Sequence, residues 1–189
     1  MDEKMGTYFT ALFGYSFNDY QEVKFFKQFL QNNDKITSHL KSLSEFASPS
    51  EIKWEWMKFD WEDTESQFLS EGYVGIEATD YGRFLIGRNV CELTIFMGWS
   101  FFLKDKRVRE VIRKLCKELS IMIGNPIYVP EHYNCSNFIY EGGTKDLVLS
   151  SLKKQFGLPC KEIDSMLIEY EDFWDTSGYY IDEFIDLSN

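Results

Sequence analysis

"CELTIFMGWSFFLKDKRVREVIRKLCKELSIMIGNPIYVP", residues 91–130, carries the clearest structural signal in the chain. From Asp105 to Ile123, Val108, Val111, Ile112, Leu115, Leu119, Met122 and Ile123 recur at helical spacing. Lys and Arg fill the other face, and Gly124 is placed to end the helix. The run before it, "CELTIFMGWSFFL", is broken only by Glu92, Thr94 and Ser100 and predicts a central strand covered on both faces. The run after it, "NPIYVP", reads as a short strand. Strand, helix and strand in this order predict a right-handed βαβ unit with the two strands parallel.

The N-terminal third adds a strand and two helices. "TYFTALFGYSF" is rich in β-forming aromatics, and Asn18 or Asp19 can cap a helix reaching Asn32, with Val23, Phe26, Phe29 and Leu30 as its apolar stripe. Past "QNND", Ile36, Leu40 and Leu43 predict a shorter helix ending near "ASPS". "EGYVGIEAT" and "RFLIGRN" around "DYG" form a predicted hairpin. In "EIKWEWMKFDWEDTE", residues 51–65, Ile52, Trp54 and Trp56 alternate with charged residues and predict a strand with the tryptophans inward. Phe59 and Trp61 then fall on the other parity, so the strand either bulges after Trp56 or ends in an aromatic loop.

After residue 130 the reading continues with a strand around Phe138–Tyr140, a Gly-Gly turn and a helix capped by Thr144. Leu147, Val148 and Leu152 would be its buried stripe, with Gly157 and Pro159 closing it. "SMLIEYE" reads as a strand, and "YYIDEFIDL" as a strand or a helical turn. The expected fold is a single α+β (or α/β) domain over 1–189, a mixed and mostly antiparallel sheet flanked by amphipathic helices, with an acidic aromatic C-terminal segment at 162–189.

Composition narrows the function classes. With 189 residues and 44% apolar content the chain can bury one substantial core. Its formal charge of −11 disfavours direct contact with nucleic acid or an anionic membrane and suits a basic protein partner. The N-terminus has no basic region leading into an apolar run, which predicts a cytoplasmic protein. Cys91, Cys116, Cys135 and Cys160 show no paired spacing and read as reduced thiols, so the sequon at Asn134 is expected to be silent. No phosphate-loop, dinucleotide, zinc-helix or nucleophile-elbow string occurs, and no cofactor, metal or catalytic residue is predicted. The one constellation for an enzyme or small-ligand reading is "PEHYNC", where Glu131, His132 and Cys135 share a loop.

Charge placement is more pointed. After Lys161 there is no Lys or Arg, while nine acids follow, so nine of the eleven net negative charges lie in the last 28 residues. Residues 51–80 hold nine acids against Lys53 and Lys58, whereas Lys104–Lys117 holds seven basic residues against two acids. Acids mixed with Tyr170, Phe173, Trp174, Tyr179 and Tyr180 supply both charge steering and aromatic anchoring, the ingredients of a protein–protein contact.

The run "ELTIFMGWSFFLKDKRVREVIRKLCKELSIMIGNPIYVPEH" and the ending "EYEDFWDTSGYYIDEF", with the small size and acidity, resemble the immunity proteins that accompany bacterial polymorphic toxins. The resemblance covers about half of the chain. It implies a non-catalytic protein that neutralises a cognate toxin, often a basic nuclease, by binding it. The implied partner contacts are Asp172, Trp174, Asp175 and Tyr179 from the C-terminal segment and Asp60, Trp61, Glu62 and Asp63 from the first third, converging on one patch. Two alternatives stay open: an acidic phage or plasmid inhibitor that mimics nucleic acid, and a small enzyme or ligand-binding protein using the His132/Cys135 loop.

Overall fold

The computed structural model describes residues 7–43, 51–59 and 63–184. Seven strands form one antiparallel-paired sheet: β1 (Tyr8–Phe13), β2 (Trp54–Trp56), β3 (Tyr73–Ala78), β4 (Gly82–Gly87), β5 (Cys91–Gly98), β6 (Pro126–Pro130) and β9 (Tyr180–Ile181), in the spatial order β2-β3-β4-β5-β1-β6-β9. A separate two-stranded hairpin comprises β7 (Leu167–Glu169) and β8 (Trp174–Thr176). The helices are α1 (Tyr20–Asn32), α2 (Asp34–Leu43), α3 (Thr64–Glu71), α4 (Trp99–Lys104), α5 (Lys106–Ile123), α6 (Asn137–Tyr140) and α7 (Lys145–Phe156). This is the expected α+β arrangement, a mostly antiparallel sheet flanked by helices.

The two sheet faces bury different cores. Odd-numbered β1 residues Phe9, Ala11 and Phe13 point into the larger one with Phe84, Ile86, Leu93 and Ile95, and α1, α2, α4 and α5 close over it. The opposite face carries Leu12, Leu85, Ile127 and Val129 under α6 and α7, with Ile139, Val148 and Leu152 as the covering side chains. Gly87 lets α6 settle this close: a Cβ there would lie 2.8 Å from Ile139.

Local signals placed most helices. Asp19 accepts from the Glu22 N–H, Asp105 from those of Arg107 and Val108, and Thr144 from that of Leu147, while Gly124, at φ 81°, ends α5. Four readings need correction. First, β5 and β6 are parallel to each other but not adjacent, because β1 pairs antiparallel with both and lies between them. Second, the strand beginning at Cys91 stops at Gly98, since Trp99, Phe102 and Leu103 are spaced to bury on one side of a helical turn, α4. Third, Phe138–Tyr140 is helical, and Leu147 is exposed instead of sharing the buried stripe of α7. Fourth, Thr64–Glu71 is a helix that the sequence reading did not foresee. Only Gln67 and Phe68 are buried in it, which leaves almost no periodic signal.

Strand β2 ends at Trp56 without a bulge in its pairing to β3, with Trp54 buried and Trp56 half-buried. Its outer edge is closed by one side chain. The Gln31 carboxamide accepts from the Trp54 N–H (2.8 Å) and donates to the Ile52 C=O (3.3 Å), as a neighbouring strand would. Gln31→Ala is therefore expected to lower stability by about 1–3 kcal/mol, because it leaves both backbone groups without this partner. Urea denaturation measures the loss, and light scattering should show a rise in self-association through the opened edge.

The far edge is held by a buried ion pair. Asp182, 1% exposed, takes a bidentate contact from Arg113 of α5 (2.6 and 2.8 Å) and a hydrogen bond from the Tyr128 hydroxyl (2.9 Å). Asp182→Ala should cost about 3 kcal/mol, near the low end for breaking a buried pair because Arg113 is partly exposed and can rehydrate. Thermal unfolding checks the size, and amide exchange at residues 180–182 should show β9 released first.

Candidate functional site

The hairpin β7–β8 sets exposed rings among carboxylates. Its root is a 3₁₀ turn, Ile163–Met166, with Ile163 and Met166 buried. From there Leu167, Ile168 and Glu169 pair with Thr176, Asp175 and Trp174 respectively. The Tyr170 N–H donates to the Phe173 C=O at 2.8 Å, so Glu171 and Asp172 occupy a tight turn at the tip.

Alternation gives the hairpin two unlike faces. On the inner one, Leu167 and Trp174 pack against the large core, Lys104 lies over the Trp174 ring at 5.2 Å, and Trp99 donates to the Thr176 hydroxyl at 3.1 Å. Arg109 pins the root through Asp164 at 2.6 Å. On the outer face stand Ile168, Tyr170 and Phe173, respectively 37%, 51% and 59% exposed, beside Asp175. The Tyr170 and Phe173 rings stack on each other, with centroids 4.2 Å apart and planes 17° from parallel. Glu169, Glu171, Asp172 and Asp175 are all exposed, and residues 162–176 contain six acids and no cation.

The predicted contact residues separate accordingly. Asp172 and Asp175 lie on the exposed hairpin. Trp174 shares the hairpin but faces inward, where it anchors the strand. Tyr179 is a core residue, 2% exposed, with its hydroxyl donating to the Gly157 C=O at 3.2 Å. Asp60, Trp61 and Glu62 lie outside the described residues. Asp63 caps α3, accepting from the Ser66 N–H and hydroxyl, both at 2.8 Å, and these bonds hold its carboxyl below the usual range.

The structure does not bring Asp63 to the hairpin. Helix α3 leads into the start of β3, which the ladder places at the same end of the sheet as the start of β5, whereas the hairpin packs on α4, which follows the end of β5. Of the first acidic segment, the described Asp63 lies apart from the hairpin, and the described candidate surface comes from the C-terminal segment. The apolar side chains that the hairpin turns outward are Ile168, Tyr170 and Phe173, of which the sequence reading names the two rings and not Ile168. The available signal was their shared parity along the hairpin, opposite to that of Trp174.

The "PEHYNC" loop does not assemble a nucleophile. His132 is exposed on a 3₁₀ turn, Glu131–Tyr133, and stands edge-on to Tyr133, while Cys135 is buried. Burial, with the nearby charge of Glu92, pushes the Cys135 thiol up to about 12, so the thiolate is scarce at neutral pH. Among the described residues no group of three His, Cys, Asp or Glu could hold a metal ion.

The same region contains a polar residue whose role the sequence did not reveal. Glu92, 6% exposed, points from β5 into the second face, where the Thr94 hydroxyl donates to it at 3.4 Å. Burial raises its carboxyl to about 7; Arg83 counteracts the shift and Glu131 adds to it. Because the unfolded chain ionises this group near 4.5, the folded state holds the extra proton across the interval between the two values. The contribution of Glu92 to stability is therefore greatest below pH about 4.5 and falls by about 3 kcal/mol as pH rises to about 7. Glu92→Gln should flatten that part of a stability-versus-pH curve measured by urea titration.

No protein-family model matches the chain, and neither a curated protein nor a solved structure matches it significantly. Among the described residues no helix is long and apolar enough to cross a membrane.

Proposed function

We propose that this chain is a non-catalytic binding protein that grips a basic protein through the outer face of β7–β8, in the manner of a toxin-neutralising immunity protein. One observation carries the reading: Ile168, Tyr170 and Phe173 are turned to solvent, between Glu169, Glu171, Asp172 and Asp175, on a hairpin whose inner face is already pinned. Folding gives no reason for that orientation, since exposed rings gain little burial. A partner that covers them gains it, and the carboxylates steer a cationic surface onto them.

A second reading, an inhibitor that imitates a nucleic-acid strand, is favoured by the stacked ring pair flanked by carboxylates. It differs in what competes: a single-stranded oligonucleotide should displace the chain from such a partner and leave other basic partners untouched.

The test begins with affinity capture from the native cells, followed by titration calorimetry on the purified partner. Tyr170→Ala and Phe173→Ala should each weaken binding by about 2 kcal/mol, roughly 30-fold, as expected for ring anchors. Asp172→Lys with Asp175→Lys should slow association and reduce its dependence on salt. All four substitutions are at exposed positions and should leave the melting temperature nearly unchanged. A partner that binds the ring-truncated chain with full affinity would overturn the proposal. If the partner is a toxin, co-expression of the wild-type chain should restore growth where the ring-truncated chain does not.

A further inference from the structure

Beneath the 3₁₀ turn Glu131–Tyr133, one guanidinium bonds one carboxylate and has a second within reach. The β4–β5 register sets Arg83 opposite Thr94 and Leu85 opposite Glu92, so Arg83 and Glu92 are diagonal neighbours on the same face of the sheet, within reach of an arginine side chain. Arg83 bonds instead to Glu131 at 3.2 Å, tying the turn to the sheet from above. Glu92 lies below, buried, with the Thr94 hydroxyl as its hydrogen-bond donor.

The groups interacting with Glu92 are Arg83 from β4, Glu131 from the turn, the Cys135 thiol after it and the Tyr140 phenol of α6. Glu77 of β3 sits across from Arg83, and Cys91 is its neighbour on the opposite sheet face. Burial raises both the Cys135 thiol and the Tyr140 phenol, so neither ionises near neutrality. Glu92 is the buried member of this group that changes charge there.

We propose that Arg83, Glu92 and Glu131 form a proton-operated latch: with Glu92 protonated Arg83 holds the turn through Glu131, and loss of that proton draws Arg83 down to Glu92 and releases residues 131–140. The direction follows from screening. A charge–charge attraction is stronger for the buried carboxylate than for the half-exposed one, so an ionised Glu92 wins the arginine. The raised carboxyl of Glu92 places the change near neutral pH. The latch is a property of the free chain and does not rest on the binding reading.

Amide hydrogen exchange of the whole chain, corrected for intrinsic rates, tests it at about pH 5.5 and about pH 8.5. In the wild type, the Asn137, Phe138, Ile139 and Tyr140 amides should exchange about threefold to fivefold faster at the higher pH, the scale of losing one partly exposed ion pair. Glu92→Gln should abolish the difference and keep the slow rate at both values. Glu131→Gln, an isosteric change at a half-exposed position, should give the fast rate at both. His132 is common to all three proteins, so any contribution from it cancels. Equal pH responses in wild type and Glu92→Gln, or an unchanged slow rate in Glu131→Gln, would overturn the latch.

Discussion

The arrangement depends on β1 lying between β5 and β6. A strand at the centre of a sheet hydrogen-bonds on both sides and must be covered on both faces, and β1 meets this with Phe9, Ala11 and Phe13 on one face and Leu12 on the other. The crossover through α5 must then span an occupied position, which an 18-residue helix of about 27 Å does easily. Because α5 lies over the large core, it also presents Arg109 and Arg113 where the C-terminal segment passes. Arg109 meets Asp164 and Arg113 meets Asp182.

Those two arginines tie the described part of the acidic C-terminal segment to the fold. Of the nine acids after Lys161, Asp164 and Asp182 are ion-paired at either side of the hairpin, and the aromatic residues beyond it fold inward, Tyr179 into the second core and Tyr180 against Tyr128. What projects between the two pins is the short hairpin. Isolated strands of three residues would be marginal in water, so its stability comes from the inner face, through Leu167, Trp174 and Thr176. The outer face is free of structural duty, which is the condition for carrying exposed rings.

The second core shows a different economy. It is smaller, and it admits a carboxyl at its centre next to an arginine that is committed elsewhere. An apolar residue at position 92 would remove the desolvation cost outright, so Glu92 weakens the fold above its own titration range. The buried Thr10 and Thr94 lie on the same face, while the buried Asp182 serves the other one through Tyr128 and Arg113.

The sequence by itself determined the elements whose signals are local. Asp19, Asp105 and Thr144 cap helices within three residues of themselves, α5 writes its stripe over five turns, and the β3–β4 hairpin follows from a turn between two β-rich runs. Helix α3 was illegible because it buries only two adjacent side chains, and α4 because its apolar run continues that of β5. Tertiary structure alone decided that β1 splits the βαβ unit, since β1 is supplied by a segment about eighty residues away and not by any residue in the unit. It also decided which parity of the hairpin faces outward. Alternation in "LIEYEDFWD" tells that Trp174 and Phe173 point opposite ways, but only Lys104, Trp99 and the large core show which way is in. The same holds for charge: Asp172 and Asp182 are alike in sequence, and the arginine of a distant helix makes one of them interior.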